Sequence, residues 1–296
     1  MNSVMALSDN CLYYGENLGI LRERIASDSV DLVYLDPPFN SNADYNVIFR
    51  EQSGQKSAAQ IKAFTDTWHW DISTDRAREE VLTSAPDAVA RMLEAMCGFI
   101  GRNDLTAYLV MMTQRLVELH RVLKPTGSLY LHCDPSASHY LKIVLDTIFS
   151  PANFRGEIVW KRTSAHNDPK RPGRIHDLLL FYSKSDSYTW NKVYVPYSKE
   201  YIESHYSNVD AQGRRYRLDN LTAPGHGSTA GQYEWQGKHP PHGRMWSLSL
   251  DKMDMLHATG RVYFTKSGMP EYIRYLDEMP GLPLQDVWDD IPPVNA

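Results

Sequence analysis

Val30-Asp31-Leu32-Val33-Tyr34-Leu35-Asp36-Pro37-Pro38-Phe39-Asn40 is a short apolar run stopped by two prolines. It is rich in β-branched and aromatic residues and too brief for a helix, so it predicts a strand that ends at a loop. In open α/β sheets the loop at the carboxyl end of a parallel strand is where ligands sit. The residues of this loop suit an exocyclic amino group on a flat base, whose nitrogen is a weak nucleophile because its lone pair is delocalised into the ring. Two acceptors, the Asp36 carboxylate and the Pro37 carbonyl, would take both amino hydrogens, draw the nitrogen toward tetrahedral geometry and stabilise the positive charge that develops on it. Phe39 would stack on the base, while Pro37 and Pro38 would hold the loop in place. Asp36, Pro37, Pro38 and Phe39 are thus the candidate catalytic residues. A Pro-Pro pair after a strand and an Asp before proline also serve simply as turns, and the motif alone leaves that alternative open.

Outward from this loop the chain alternates helix and strand. Leu105, Leu109, Met112, Leu116, Leu119 and Leu123 recur at helical spacing, with Asn103 or Asp104 as cap and Lys124-Pro125 plus Gly127 as terminators. Ser128 to Cys133 reads as the next strand and Ser136 to Phe149 as the next helix, which predicts an α/β layered domain. Asp134-Pro135 ends its strand as Asp36-Pro37 does, but without a following aromatic it reads as a turn. Gly225-His226-Gly227-Ser228-Thr229-Ala230-Gly231 and Cys97-Gly98-Phe99-Ile100-Gly101 contain glycines without the strand and helix a phosphate- or cofactor-binding turn requires.

The chain has 296 residues, 42% of them hydrophobic, enough for one large or two modest domains. Cys11, Cys97 and Cys133 show no metal-ligand spacing, so no metal is predicted, and so few cysteines fit a reducing, cytoplasmic setting. No signal-like amino terminus and no run of about 18 apolar residues occurs, which excludes secretion and membrane insertion from the expectation. The net charge of −5 is unevenly spread. Residues 155–274 contain 18 Lys and Arg against 12 Asp and Glu, and the acidic excess lies elsewhere.

The Asp36-Pro37-Pro38-Phe39 loop resembles that of the amino-methylating DNA methyltransferases of the permuted β group, specific for adenine N6 or cytosine N4. The likeness continues through Leu12-Tyr13-Tyr14-Gly15-Glu16-Asn17-Leu18 and Phe64-Thr65-Asp66-Thr67-Trp68-His69-Trp70. It extends to Leu123 through Asp134 and to Glu157-Ile158-Val159-Trp160-Lys161-Arg162, in the family's order. It implies a partial Rossmann-like sheet with helices on its faces, an inserted α+β target-recognition lobe, and S-adenosyl-L-methionine as cofactor, contacted by Asp36 and Asn17. The family's Phe-x-Gly-x-Gly cofactor segment lies beyond the recognition region. The residues Asp286 to Ala296 look like the linker ahead of it, so the resemblance implies a cofactor half outside this chain, as part of a longer protein or as a separate chain. The strand ending at Asp36 is then expected to be an exposed sheet edge.

Residues 1–160 are accordingly expected to form the catalytic region, 161–280 the hairpin and recognition lobe, and 281–296 the linker. Within the hairpin loop Lys161, Arg162, Lys170, Arg171 and Arg174 suit phosphates, while His166 and Asn167 could reach base edges and Asn40 adds a contact from the catalytic loop. The aromatic stretch from Tyr188 to Trp246, interleaved with Arg214, Arg215, Arg217, Lys238 and Arg244, is consistent with base reading or with ordinary packing of an α+β subdomain. The function implied is methyl transfer to N6 of a flipped adenine in double-stranded DNA, with cytosine N4 as the alternative because cytosine enzymes more often begin the motif with serine. A methyltransferase acting on RNA or a protein amide, and a noncatalytic DNA-recognition half, are the competing classes. A homodimer and a restriction endonuclease are the further partners the resemblance implies.

Overall fold

The computed structural model describes residues 10–37, 68–165, 168–225 and 231–292, together with the backbone of 44–47 and 61–65. The elements in chain order are α1 (Asn17–Arg24), β1 (Val30–Leu35), β2 (Asp44–Val47), β3 (Ile61–Thr65), α2 (Ile72–Ser84), α3 (Asp87–Ile100), α4 (Asp104–Val122), β4 (Leu123–Cys133), α5 (Ser138–Phe149), β5 (Phe154–Lys161) and β6 (His176–Ser183). After these come β7 (Tyr194–Val195), α6 (Lys199–His205), β8 (Asn208–Val209), β9 (Arg215–Asn220), β10 (Thr222–Pro224), β11 (Arg244–Trp246), α7 (Leu250–Ala258), β12 (Val262–Phe264), β13 (Pro270–Tyr275), β14 (Leu282–Pro283) and β15 (Val287–Trp288). The chain forms two compact units, residues 1–191 with 285–296, and residues 192–284.

The first unit is built on a five-stranded mixed sheet of order β1-β4-β6-β5-β15. β1 runs parallel to β4, β4 and β6 are antiparallel, β6 and β5 form the expected hairpin, and β15 lies parallel to β5. Among the described residues β1 is an edge strand, as expected of the strand that ends at Asp36, and its Leu32 and Tyr34 side chains are exposed.

α4 is the central helix. Its start is set by the capping box that the sequence suggests: Asn103 accepts from the Thr106 amide at 3.1 Å, and Thr106 accepts from the Asn103 amide at 2.9 Å. Leu109, Met112, Leu116 and Leu119 are buried as their spacing predicts, but so are Tyr108 and Val110. The stripe is wider than a one-sided helix needs because α1, α2, α3 and α5 all contact α4. Its inner face packs on Leu129, Leu131 and Cys133 of β4 and Leu178, Leu180 and Tyr182 of β6. Burial also pushes the Cys133 thiol up to about 12, which leaves it a core residue rather than a nucleophile. The opposite face of the sheet carries Tyr130 stacked on Phe181 at 4.4 Å, with Trp190 beyond.

Three expectations are corrected. α4 ends at Val122, as Lys124-Pro125 and Gly127 imply, but the strand expected from Ser128 already begins at Leu123, directly after the helix. The strand survives the proline because the ladder with β1 is irregular between Val30 and Leu32, and Gly127 lets the chains close up: a Cβ there would lie 3.1 Å from the Val30 carbonyl oxygen. The 160/161 boundary falls inside the β5–β6 hairpin, which belongs to the first sheet because β6 is its central strand. Residues 281–296 do not form a plain linker, since β14 pairs with β7 and β15 adds to β5, with the Trp160 indole donating to the Ile291 carbonyl at 3.0 Å.

The second unit contains a four-stranded antiparallel sheet of order β12-β13-β9-β8, two smaller ribbons and the helices α6 and α7. Its core is Leu221, Trp235, Trp246 and Met253. The Trp235 indole donates to Asp254 and that of Trp246 to the Tyr233 carbonyl, each at 2.8 Å, so these aromatics are packing residues. Among the described residues no helix is long and apolar enough to cross a membrane.

The packing of α4 predicts that Leu116→Ala lowers the unfolding free energy by about 2–5 kcal/mol. Asn103→Ala should lower it by about 1 kcal/mol through loss of the cap. Leu32→Ala, on the exposed face of β1, should change it by less than about 0.5 kcal/mol. Urea denaturation of the three variants measures all of these.

Candidate active site

The topology gathers the chemistry of the first unit at one end of its sheet. β1 and β4 are parallel, so their carboxyl ends coincide, and the antiparallel β6 starts where they finish. β5, antiparallel to β6, ends there too and leads through Lys161 and Arg162 into the basic hairpin loop. The acidic corner and that loop therefore share an edge, as ligand sites on α/β sheets do.

Asp36 stands just past β1 with its side chain 59% exposed, while Pro37 is buried. Both line a cavity of about 890 Å³ whose other walls are Gly15, Glu16 and Asn17, Trp68 to Thr74, and the Ala107 to Arg115 face of α4. Arg115 holds the Asn17 side chain at 2.8 Å, donates to the Met111 carbonyl at 3.1 Å and pairs with Glu16. Burial opposes the Glu16 charge, but hydrogen bonds from the Gly19 and Leu18 amides and the Arg115 guanidinium keep its carboxyl below the usual range. Asn17 thus reaches the cavity that Asp36 lines, where the resemblance implied a cofactor. Pro38, Phe39 and Asn40 lie outside the described residues.

Two residues that the sequence analysis passed over complete the corner. His132, next to last in β4, has Nδ1 2.9 Å from Asp36 Oδ1 and Nε2 3.3 Å from Asp177 Oδ2. Asp177, in β6, also receives Arg162 Nε at 2.9 Å. Burial works against a charge on the ring, but the hydrogen bonds and charges of Asp177 and Asp36 outweigh it and hold His132 above the ordinary imidazole range. The signal in the sequence was a histidine and an aspartate at the ends of otherwise apolar strands.

The predicted phosphate contacts have varied surroundings. Lys161 is exposed at the end of β5. Arg162 is bound to Asp177 rather than projecting freely, because that buried carboxylate requires a cation. Arg171 pairs with Asp168 at 2.7 Å, Lys170 donates its amide to the same carboxylate, and Arg174 donates to Ser136 Oγ at 2.8 Å. His166 and Asn167 lie outside the described residues. Asp134 caps its own turn by accepting from the Ser136 and Ala137 amides, as the turn reading had it. The basic excess assigned to residues 155–274 is not a property of the second unit. Residues 192–284 hold 11 Lys and Arg against 10 Asp and Glu, because residues 155–191, with 7 Lys and Arg against 4 Asp and Glu, belong to the first unit and Asp277 and Glu278, which bind Arg214 and Arg261, fall within the second.

Because the His132 value is raised on folding, its stabilising contribution is complete below the unfolded value of about 6.5 and disappears as pH rises through the folded value. His132→Gln should therefore reduce the fall in Tm between about pH 6 and about pH 9, which thermal denaturation across that range measures.

Comparison with known proteins gives the family. Residues 30–266 match the N6_N4_Mtase family model, described as DNA methylase. The chain is 26% identical over 291 residues to the type II methyltransferase M.EcaI of Enterobacter cloacae, covering 97% of this chain and 54% of that protein. It is 27% identical over 294 residues to the Mod subunit of the type III restriction-modification enzyme StyLTI of Salmonella typhimurium, covering 96% of this chain and 41% of that subunit. The chain thus spans about half the length of the curated relatives it matches. Among solved structures it is similar to the cytosine-N4-specific PvuII DNA methyltransferase with a TM-score of 0.35 and 12% identity, over 61% of this chain and 50% of that one, too slight a likeness to bear on the fold. With its family model matched from the first residue of β1 into the second unit, the chain belongs to the DNA methylase family.

Proposed function

We propose that this chain carries the catalytic corner of an S-adenosylmethionine-dependent DNA methyltransferase that acts on N6 of an adenine turned out of the duplex. The observation that supports it most is the position of Asp36: an exposed carboxylate at the mouth of a large cavity, at the same sheet end as Lys161 and the basic loop. A base stacked and paired inside a duplex cannot bring its amino group to an acid at a cavity mouth, so extrusion of the nucleotide belongs to the proposal. Asp36 takes one amino hydrogen and the Pro37 carbonyl the other, aiming the nitrogen lone pair and balancing its growing positive charge. One proton then leaves the methylated nitrogen for solvent.

The cavity suits the cofactor in its chemistry, since Glu16, Asn17 and Asp36 offer oxygen acceptors to a cationic, hydroxyl-bearing ligand and Trp68 offers an aromatic wall. S-adenosylmethionine when bound supplies an electrophilic methyl group. Asn17 and Glu16 would hold it from the start of α1, kept in place by Arg115. The remaining cofactor contacts are proposed to come from polypeptide that docks along the β1 edge. Adenine is preferred to cytosine because the motif begins with Asp36, and restriction-modification is the proposed setting because the relatives carry that description.

The test is transfer of tritiated methyl from S-adenosylmethionine to unmodified DNA by the native protein, with RNA as control and the product base identified by mass spectrometry. Asp36→Ala should abolish transfer while changing DNA affinity by less than about threefold, a difference of under 1 kcal/mol. Loss of affinity with turnover intact would contradict the assignment, and N4-methylcytosine as product would overturn the adenine preference. Lys161→Ala should weaken binding evenly across DNA sequences and lower the salt slope by about 1.

A further inference from the structure

The grip of Asp36 on an amino group does not by itself require a histidine and a second aspartate buried behind it. The His132 side chain is 9% exposed and that of Asp177 2%. Ionisable groups occupy such positions only when paired. We infer that His132 is a positioning residue for the reacting carboxylate, clamped between Asp36 and Asp177 with Arg162 anchoring the far end of the relay. The inference rests on the reading of Asp36 as the group that holds the amino nitrogen.

Donor counting fixes the state of the ring. Ionised carboxylates only accept hydrogen bonds, so with Asp36 at 2.9 Å on Nδ1 and Asp177 at 3.3 Å on Nε2 both nitrogens donate, and the ring is an imidazolium. The charged groups recorded against it among the described residues are Asp36 from the end of β1 and Asp177 from β6, with Arg162 from the end of β5 beyond, so charge alternates along these four side chains. Trp160 of β5 packs beside the ring with centroids 5.8 Å apart.

Three consequences follow for the carboxylate. His132 takes Oδ1, so the acid cannot swing about its χ angles, and Oδ2 is the oxygen turned to the substrate. The imidazolium sets a positive charge against Oδ1, so the carboxylate is held by a charge-assisted hydrogen bond while Oδ2 accepts from the amino group. Loss of the ring proton would leave one N–H for two carboxylates. Asp177 is 2% exposed and out of reach of water, whereas Asp36 is 59% exposed and can be hydrated, so Asp36 is the one released.

The experiment combines ring titration with turnover. In the full chain, NMR of labelled histidine, assigned by loss of the signal in His132→Gln, should show His132 titrating above the ordinary imidazole range. Asp36→Asn and Asp177→Asn should each lower its midpoint by about one unit. In the native protein His132→Ala should lower kcat about 10- to 100-fold with KM for DNA unchanged. His132→Gln, whose amide can still donate to Asp36, should recover part of that loss and lack the alkaline fall in kcat that the wild type should show. A ring that ignores Asp36→Asn, or His132 variants with wild-type turnover and pH profile, would overturn the inference while leaving the methyltransferase reading intact. A wild-type protein that transfers no methyl to DNA would remove both, and should His132→Ala fail to fold, the titration and His132→Gln still decide.

Discussion

The pairing of β1 with β4 is the constraint on which the rest of the first unit depends. Leu35 opposite Leu131 brings Asp36 level with His132, 96 residues away in sequence. The antiparallel β6, with Leu178 opposite Cys133, sets Asp177 on the other side of the same ring, and β5, with Trp160 opposite Asp177, delivers Arg162. Side chains alternate with a period of two, so a slip of one residue in any of these ladders would turn a member of the relay into the helical core. The apolar partners on that core face, Leu129, Leu131, Leu178 and Leu180 under α4 and α5, are what make such a slip unfavourable.

Electrostatics at this edge are more self-contained than the count of basic residues suggests. Arg162, Arg171 and Arg174 all have partners within the unit, and Arg214, Arg217, Arg261 and Arg274 in the second unit are bound to Asp219, Asp277 and Glu278. Exposed pairs of this kind are weak in water and are readily exchanged for a phosphate. The Arg162–Asp177 pair differs, because half of it is buried and its loss would leave an uncompensated charge. The loop can therefore offer Arg171 to an anion at little cost, whereas Arg162 serves the sheet.

Much of the architecture was legible because it follows from short-range rules. Spacing and the Asn103 cap located α4 to within a residue, proline stops located the end of β1, and alternation of strand and helix pointed to a layered α/β unit. What misled was also local. Pro125 and Gly127 end the helix as they should but do not delay the strand, because an irregular ladder takes them into β4, and residues 281–296 look like a linker although Val287 and Trp288 find a sheet edge to join. Of the site, Asp36 was readable from its own neighbours, whereas His132 and Asp177 each looked like a stray polar residue at the end of an apolar strand.

The sequence by itself determined α4, the end of β1, the acidic-proline corner and the family resemblance, since each is written in residues a few positions apart. Only the tertiary structure decided which strands lie side by side, and so which polar groups share a burial site. Strand pairing is a nonlocal choice, made by the joint burial of apolar faces from segments about a hundred residues apart, and no local pattern encodes its partner or register. The clamp on Asp36 exists only at that level, where one ring on β4 meets carboxylates from β1 and β6.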